Sequence, residues 1–169
     1  MSDKIKVKFG DIEIAMEADP SFEHGSHVNR KTGEVVTITE EERVVMESEE
    51  PLEDYPEWLR NSVAAARDVE ENPGNYASMP DRFEFNEYDL MRRFAVHQDE
   101  KVANRLLRAI SGKGAFRYFK DEIRRLNVED AWYEYRREKM IDLAKAWCEE
   151  EGFELAIDRT APEEKGTNT

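Results

Sequence analysis

Gly112-Lys113-Gly114-Ala115-Phe116-Arg117-Tyr118-Phe119-Lys120-Asp121 decides how the second half of this chain folds, because it reads as a tight turn running into a helix. Before it, Val102, Leu106, Leu107 and Ile110 recur at helical spacing, so one apolar face leads up to the turn. Gly112 is expected to close that helix in the left-handed conformation, and Gly114 to let the chain reverse. After it, Phe116, Phe119, Ile123 and Leu126 form a second apolar stripe, with Arg117, Lys120, Asp121 and Arg124 on the opposite side. Two helices joined by so short a turn are expected to lie antiparallel with their stripes facing. The aromatic positions predict one buried cluster of Phe116, Phe119, Ile123, Trp132 and Trp147.

Outward from this hairpin the pattern stays mostly helical. Downstream, Asn127 punctuates the second helix, and a long helix runs from about 128 to 151 with Tyr133, Met140, Leu143, Ala144 and Trp147 on one face. Gly152 ends it, and Phe153 to Ile157 forms a short strand or docks as coil. Upstream, Asp99 caps the first hairpin helix, and another helix spans about 86 to 97. Tyr76 to Pro80 reads as a loop with Tyr76 and Met79 buried. A helix starts at Pro56 and stops near Asn72-Pro73-Gly74. Thr39-Glu40-Glu41-Glu42 has the form of an N-cap with an acidic first turn. Ser26–Asn29 and Glu34–Thr39 pair as a β-hairpin around Thr32-Gly33. Lys4 to Phe9 alternates as a short strand, and a helix is preferred from Asp11 to before Pro20. The fold class expected is α+β, mainly helical, with a small N-terminal β-hairpin unit packed with a C-terminal bundle of helices. The expected domains are 1–54, a hairpin and helix unit; 55–157, the helical domain; and 158–169, a polar, disordered tail.

Charge narrows the function classes. Of 169 residues, 39 are acidic and 25 basic, a formal net charge of -14 with three histidines taken as neutral. Such a surface suits a cytoplasmic protein, argues against general nucleic-acid binding and gives no membrane anchor. No signal peptide or membrane-length apolar run is visible, and the single cysteine, Cys148, excludes an internal disulfide. The charge is uneven: residues 1–80 carry a net -11, whereas Arg92 to Arg125 carries a net +6. A local positive patch therefore surrounds the turn.

Each constellation has a plain structural reading beside its chemical one. Gly112-Lys113-Gly114 before a helix suggests an anion site, but it lacks the glycine spacing and the Ser or Thr of a P-loop. The basic face of Arg92, Arg93, Arg105, Arg108, Arg117, Arg124 and Arg125 either engages an acidic partner or is neutralised internally by Glu40 to Asp54, which is the preferred reading. Tyr118 and Tyr135 add stacking surfaces. Glu23, His24 and His27 are too few for a structural zinc site, so no metal is expected there. Cys148 and His97 lack any signature of a nucleophile and its base, and Cys148 reads as a small core residue.

The decapeptide, together with Trp132, Trp147 ahead of Glu151-Gly152, Pro56-Glu57-Trp58 and Thr32-Gly33-Glu34-Val35-Val36, resembles an uncharacterised bacterial protein family. The resemblance spans most of the chain to about Gly152. It implies no activity, because that family has no established function.

The combined reading is a non-enzymatic cytosolic interaction or regulatory module without a cofactor, of undetermined oligomeric state, with a possible protein partner. Its expected contact residues are Lys113, Arg117, Lys120 and Arg124. A binder of a phosphorylated ligand or nucleic acid through Arg92–Arg125 is the second reading. An enzyme using Lys113, Arg117 or Lys120 with nearby acids is the third.

Overall fold

The structure is a computed structural model that describes residues 3–18 and 23–157, apart from the side chains of residues 23 and 24. The expected disordered tail at 158–169 and the helix end at Pro20 lie outside the described residues. The fold is α+β and mainly helical. The chain forms two compact units: residues 1–84 with 144–169, and residues 85–143.

The first unit holds all the described strands. A short strand β1 (Lys6–Lys8) leads directly into helix α1 (Phe9–Glu17), whose Phe9, Ile12 and Met16 are buried at i, i+3 and i+7. The sequence Val28-Asn29…Val35-Val36 folds as the expected hairpin of β2 (Glu23–Asn29) and β3 (Val35–Thr39). Gly33 has a φ of +80°, and a Cβ there would stand 2.8 Å from the Lys6 carbonyl oxygen. Only glycine therefore allows this turn to lie so close to β1.

Thr39 is the expected N-cap of helix α2 (Glu40–Glu47), and the structure completes it as a capping box with Glu42. Helix α3 (Glu57–Glu71) follows Pro56 and buries Leu59, Val63, Ala66 and Val69, an apolar stripe at i, i+4, i+7 and i+10. Ile38, Ala66, Val69 and Tyr76 pack as one cluster, which joins this helix to the hairpin.

One feature of this unit departs from the sequence expectation, and another settles an alternative it left open. Tyr76–Ser78 is strand β4 rather than loop, and it pairs antiparallel with β2 in the order β3-β2-β4. Its three residues carry too short a pattern to register as a strand, and pairing with a distant edge decides the matter. The second feature is long-range. Strand β5 (Glu154–Ala156) pairs parallel with β1, Val7 opposite Leu155. Helix α4 (Arg82–Phe85) is a single turn at the unit boundary.

The second unit is helical: α5 (Glu87–Val96), α6 (Glu100–Ala109), α7 (Ala115–Arg125) and the first part of α8 (Glu129–Glu151). Asn86 and Asp99 cap α5 and α6 by accepting from the backbone N–H groups of Asp89 and Val102. Helix α7 ends in a Schellman motif. Asn127 takes φ +64°, its N–H reaches the Arg124 carbonyl, and the Val128 N–H reaches that of Ile123 at 2.9 Å. The buried centre is aromatic: the Phe119 and Trp132 rings lie 4.9 Å apart edge to face, and Phe94 is 5.4 Å from Trp132.

The predicted five-residue cluster is therefore corrected. Phe119, Ile123 and Trp132 are buried in the second unit, but Phe116 is 45% exposed and Phe94 joins the cluster. Trp147 belongs to the first unit, where its indole N–H donates to the Ser78 carbonyl and its ring stacks on Phe153. Tyr133 is exposed too, and its neighbour Trp132 takes the buried position on α8.

Candidate functional site

The α6–α7 turn is built differently from its simplest sequence reading. Gly112 does not adopt a positive φ, and α6 closes at Ile110 through ordinary backbone hydrogen bonds. Gly114 carries the left-handed conformation, at φ +76°, as the N-cap of α7. The Tyr118 ring lies across it, so a Cβ on residue 114 would stand 3.1 Å from a ring carbon. The Arg117 guanidinium in turn sits 5.5 Å from the centre of the same ring. Turn, tyrosine and arginine thus form one local stack.

Two surfaces flank the buried edge of α7, which is formed by Ala115, Phe119 and Ile123. Arg117, Lys120 and Arg124 share the outward side and are exposed, with Lys113 exposed on the turn before them. Arg124 lies 3.8 Å from Glu129. Lys113, Arg117 and Lys120 form no ion pair within their unit. Phe116 stands exposed beside them.

On the other flank Tyr118, Glu122 and Arg125 follow one another at i, i+4 and i+7 and face Arg105 and Arg108 of α6 across an open cleft of about 540 Å³. The Glu122 side chain is only 16% exposed and bridges both helices, 3.2 Å from Arg105 and 3.2 Å from Arg125. Gly112 and Lys113 close the cleft at the turn. Arg108 has no ionic partner within the unit.

Of the four expected contact residues, only Lys113 borders this cleft. Lys120 and Arg124 lie on the outward face, and Arg117, also outside the lining, reaches the Tyr118 ring. The sequence signal for the cleft was present in the spacing: Tyr118, Glu122 and Arg125 make one helical row, and Arg105 and Arg108 make another. It was obscured because all the arginines between 92 and 125 look alike in a linear reading. Those nearer the end of α5 are held locally, Arg93 by Asp89 at 2.8 Å and Arg92 by the same carboxylate at 3.7 Å. Arg136, on α8, lies 2.9 Å from Glu87 and over the Phe85 ring.

The remaining candidates have structural surroundings. Cys148 is buried, and burial pushes its thiol up to about 11, so it stays protonated at neutral pH. His97 Nδ1 lies 2.7 Å from the Arg93 carbonyl at the end of α5. His27 is half-buried, and burial lowers its pKa below the ordinary value. The side chains of Glu23 and His24 lie outside the described residues. Among the described residues no three His, Cys, Asp or Glu side chains converge as a metal site. Among them, too, no helix is long and apolar enough to cross a membrane.

A second cavity of about 360 Å³ in the first unit includes Ser26, His27, Ser78, Asp81 and Arg82. Its polar groups are largely satisfied: Ser26 Oγ is 2.9 Å from Thr37 Oγ1, and Asp81 accepts from the Glu84 N–H.

Glu42 is the buried carboxylate of the first unit. Burial pushes its pKa up, but hydrogen bonds donated by the Ser62 and Thr39 hydroxyls and the Thr39 N–H outweigh it and hold the carboxyl below its usual value. It joins the start of α2 to α3 and has a structural role.

No curated protein and no solved structure matches this chain. A family model does match over residues 59–166, that of the Uncharacterised protein family (UPF0158). The matched span contains the whole second unit, whereas Pro56-Glu57-Trp58 and the Thr32-Gly33 turn lie before it.

Proposed function

Since the chain belongs to UPF0158, a family that brings no activity with it, we propose from the surface of the matched region that this is a non-enzymatic interaction module, and that the outward face of α7 docks an acidic protein segment. The observation that carries the reading is the set of exposed cations, Lys113, Arg117 and Lys120, without an ionic partner in their own unit, in a protein of net charge -14. Like charges held together on one face repel, and the fold gains nothing from keeping them there. An acidic partner relieves that repulsion. It also speeds encounter, since a local positive patch steers an acidic surface.

Exposed Phe116 adjoins these cations and supplies an apolar anchor of the kind that dominates interface energetics. Arg124, only loosely paired at 3.8 Å, extends the face by a further turn of helix. The acidic remainder of the chain argues against a long polyanion such as nucleic acid, which it repels as a whole. A cytoplasmic setting fits the single buried, protonated cysteine.

The test is the double charge reversal Arg117→Glu with Lys120→Glu. Both side chains are exposed, so the variant should keep its stability within about 0.5 kcal/mol. Immobilised wild-type protein should retain acidic proteins from a cell lysate at low salt and release them at high salt. The variant should retain none of them. The proposal fails if wild type and variant retain the same proteins.

A further inference from the structure

We propose that the cleft between α6 and α7 is a separate binding site for a polyphosphorylated small molecule, with a nucleoside triphosphate as the class that fits best. The site lies on the other flank of α7 from Lys120 and Arg124 and shares Lys113 with the docking face.

The first argument is charge. Arg105, Arg108, Lys113 and Arg125 border the cleft, and Glu122 is its one carboxylate. Glu122 lies between two arginines that belong to different helices, so its single negative charge leaves one positive charge there uncompensated. Arg108 and Lys113 add two more without an ionic partner in the unit. A cleft that concentrates three excess positive charges in a protein of net -14 attracts an anionic counter-ion. One phosphate group answers part of that charge, and a chain of two or three answers it fully.

The second argument is preorganisation. A guanidinium presents a planar fork that matches phosphate oxygens, and its affinity suffers if the long side chain must be ordered on binding. Here Glu122, largely withdrawn from water, holds Arg105 and Arg125 at 3.2 Å each before any ligand arrives. Arg108 and Lys113 remain free to close on the phosphates from the α6 side and the turn. Glu122 is thus a positioning residue that does not itself contact an anion.

The third argument is size and lining. About 540 Å³ falls within the usual range of small-ligand pockets, roughly 300–1,000 Å³, and exceeds what a single inorganic phosphate needs. Tyr118, also at the cleft, is held by its contact with Gly114 and offers an aromatic wall for a ring attached to the phosphates. The Ser111 hydroxyl at the cleft donates to the Arg108 carbonyl and Glu122 is held by two arginines, so binding alone is proposed, and the phosphate chain leaves intact.

The experiment is calorimetric titration of the full-length protein with ATP, ADP, inorganic tripolyphosphate and inorganic phosphate, without added metal. ATP and tripolyphosphate should bind saturably and more weakly at higher salt, with inorganic phosphate at least about tenfold weaker than either. ATP binding tighter than tripolyphosphate assigns a role to Tyr118, and a matching loss in Tyr118→Ala supports it. Arg108→Glu, at an exposed side chain without a partner, should fold normally and reduce ATP affinity by about tenfold or more. Lys120→Glu, on the outward face and touching neither Tyr118 nor the cleft, should leave ATP affinity within about twofold, which separates this site from the docking face. The proposal is overturned if none of the four anions binds saturably, or if Arg108→Glu, shown to be folded by its melting curve, binds ATP like the wild type.

Discussion

Phe119→Ala should be strongly destabilising, and Phe116→Ala, three residues earlier on the same helix, should cost far less. The Phe119 ring has no exposed surface and stands edge to face with Trp132 at 4.9 Å and with Phe94 at 6.4 Å. Truncating a buried phenylalanine costs about 3–5 kcal/mol, from lost transfer energy and the cavity left behind. Each specific aromatic pair adds about 0.5–1.5 kcal/mol beyond area burial, which places Phe119→Ala toward the upper end of that range. The cavity cannot be refilled cheaply, because Ile123 and Trp132 are themselves buried and held by neighbouring turns of α7 and α8.

Phe116 is 45% exposed and makes no ring contact with the cluster, so its loss should cost no more than about 1 kcal/mol. Urea unfolding followed by Trp fluorescence and by far-UV circular dichroism reads the difference. With an m-value of about 2 kcal/mol per molar, Phe119→Ala should lower the midpoint by about 2 M and Phe116→Ala by less than about 0.5 M. Equal shifts for the two variants, or a Phe119→Ala midpoint within about 0.5 M of wild type, would refute this account of how α7 is anchored.

Two further substitutions probe local devices. Gly114→Ala should cost about 1–2 kcal/mol in thermal or urea unfolding, because residue 114 sits at φ +76° and the new Cβ meets Tyr118 at 3.1 Å, whereas Gly112→Ala, with open space and no positive φ, should cost less. Glu42→Gln should cost about 1–3 kcal/mol near pH 7 by weakening the acceptor of Ser62 and Thr39. Because the folded state holds the Glu42 carboxyl below its unfolded pKa, that contribution is complete above the unfolded pKa and fades as pH falls through the folded one, so wild-type and variant midpoints should converge below about pH 4.

Much of the fold is legible in the chain because its determinants are local. The Thr39 capping box, the Asn86 and Asp99 caps, the Asn127 turn and the apolar stripes of α3 and α6 depend on residues within one or two turns of each other. The same locality made the α6–α7 turn recognisable as the organising stretch, and made its neighbourhood identifiable as basic. Sequence also limited Cys148 to a core role, which its burial and protonated thiol bear out.

What sequence left open depends on partners far along the chain. Tyr76–Ser78 is a strand because β2 offers it an edge, and β5 exists because β1, almost 150 residues earlier, lies parallel to it. Three-residue segments have too little intrinsic preference to announce such pairings. Phe116 illustrates the same limit on a helix. At about 100° per residue it lies some 60° from Phe119, near enough to read as the same stripe, and only the placement of the facing helices decides that the buried edge stops short of it.

The cleft follows the same rule. By itself the sequence determined that a basic helical hairpin turns at Gly112–Gly114. Tertiary structure alone divided its cations between two flanks, because the rotation of α7 on its core sends Arg117 and Lys120 outward and turns Glu122 and Arg125 toward Arg105 across the cleft.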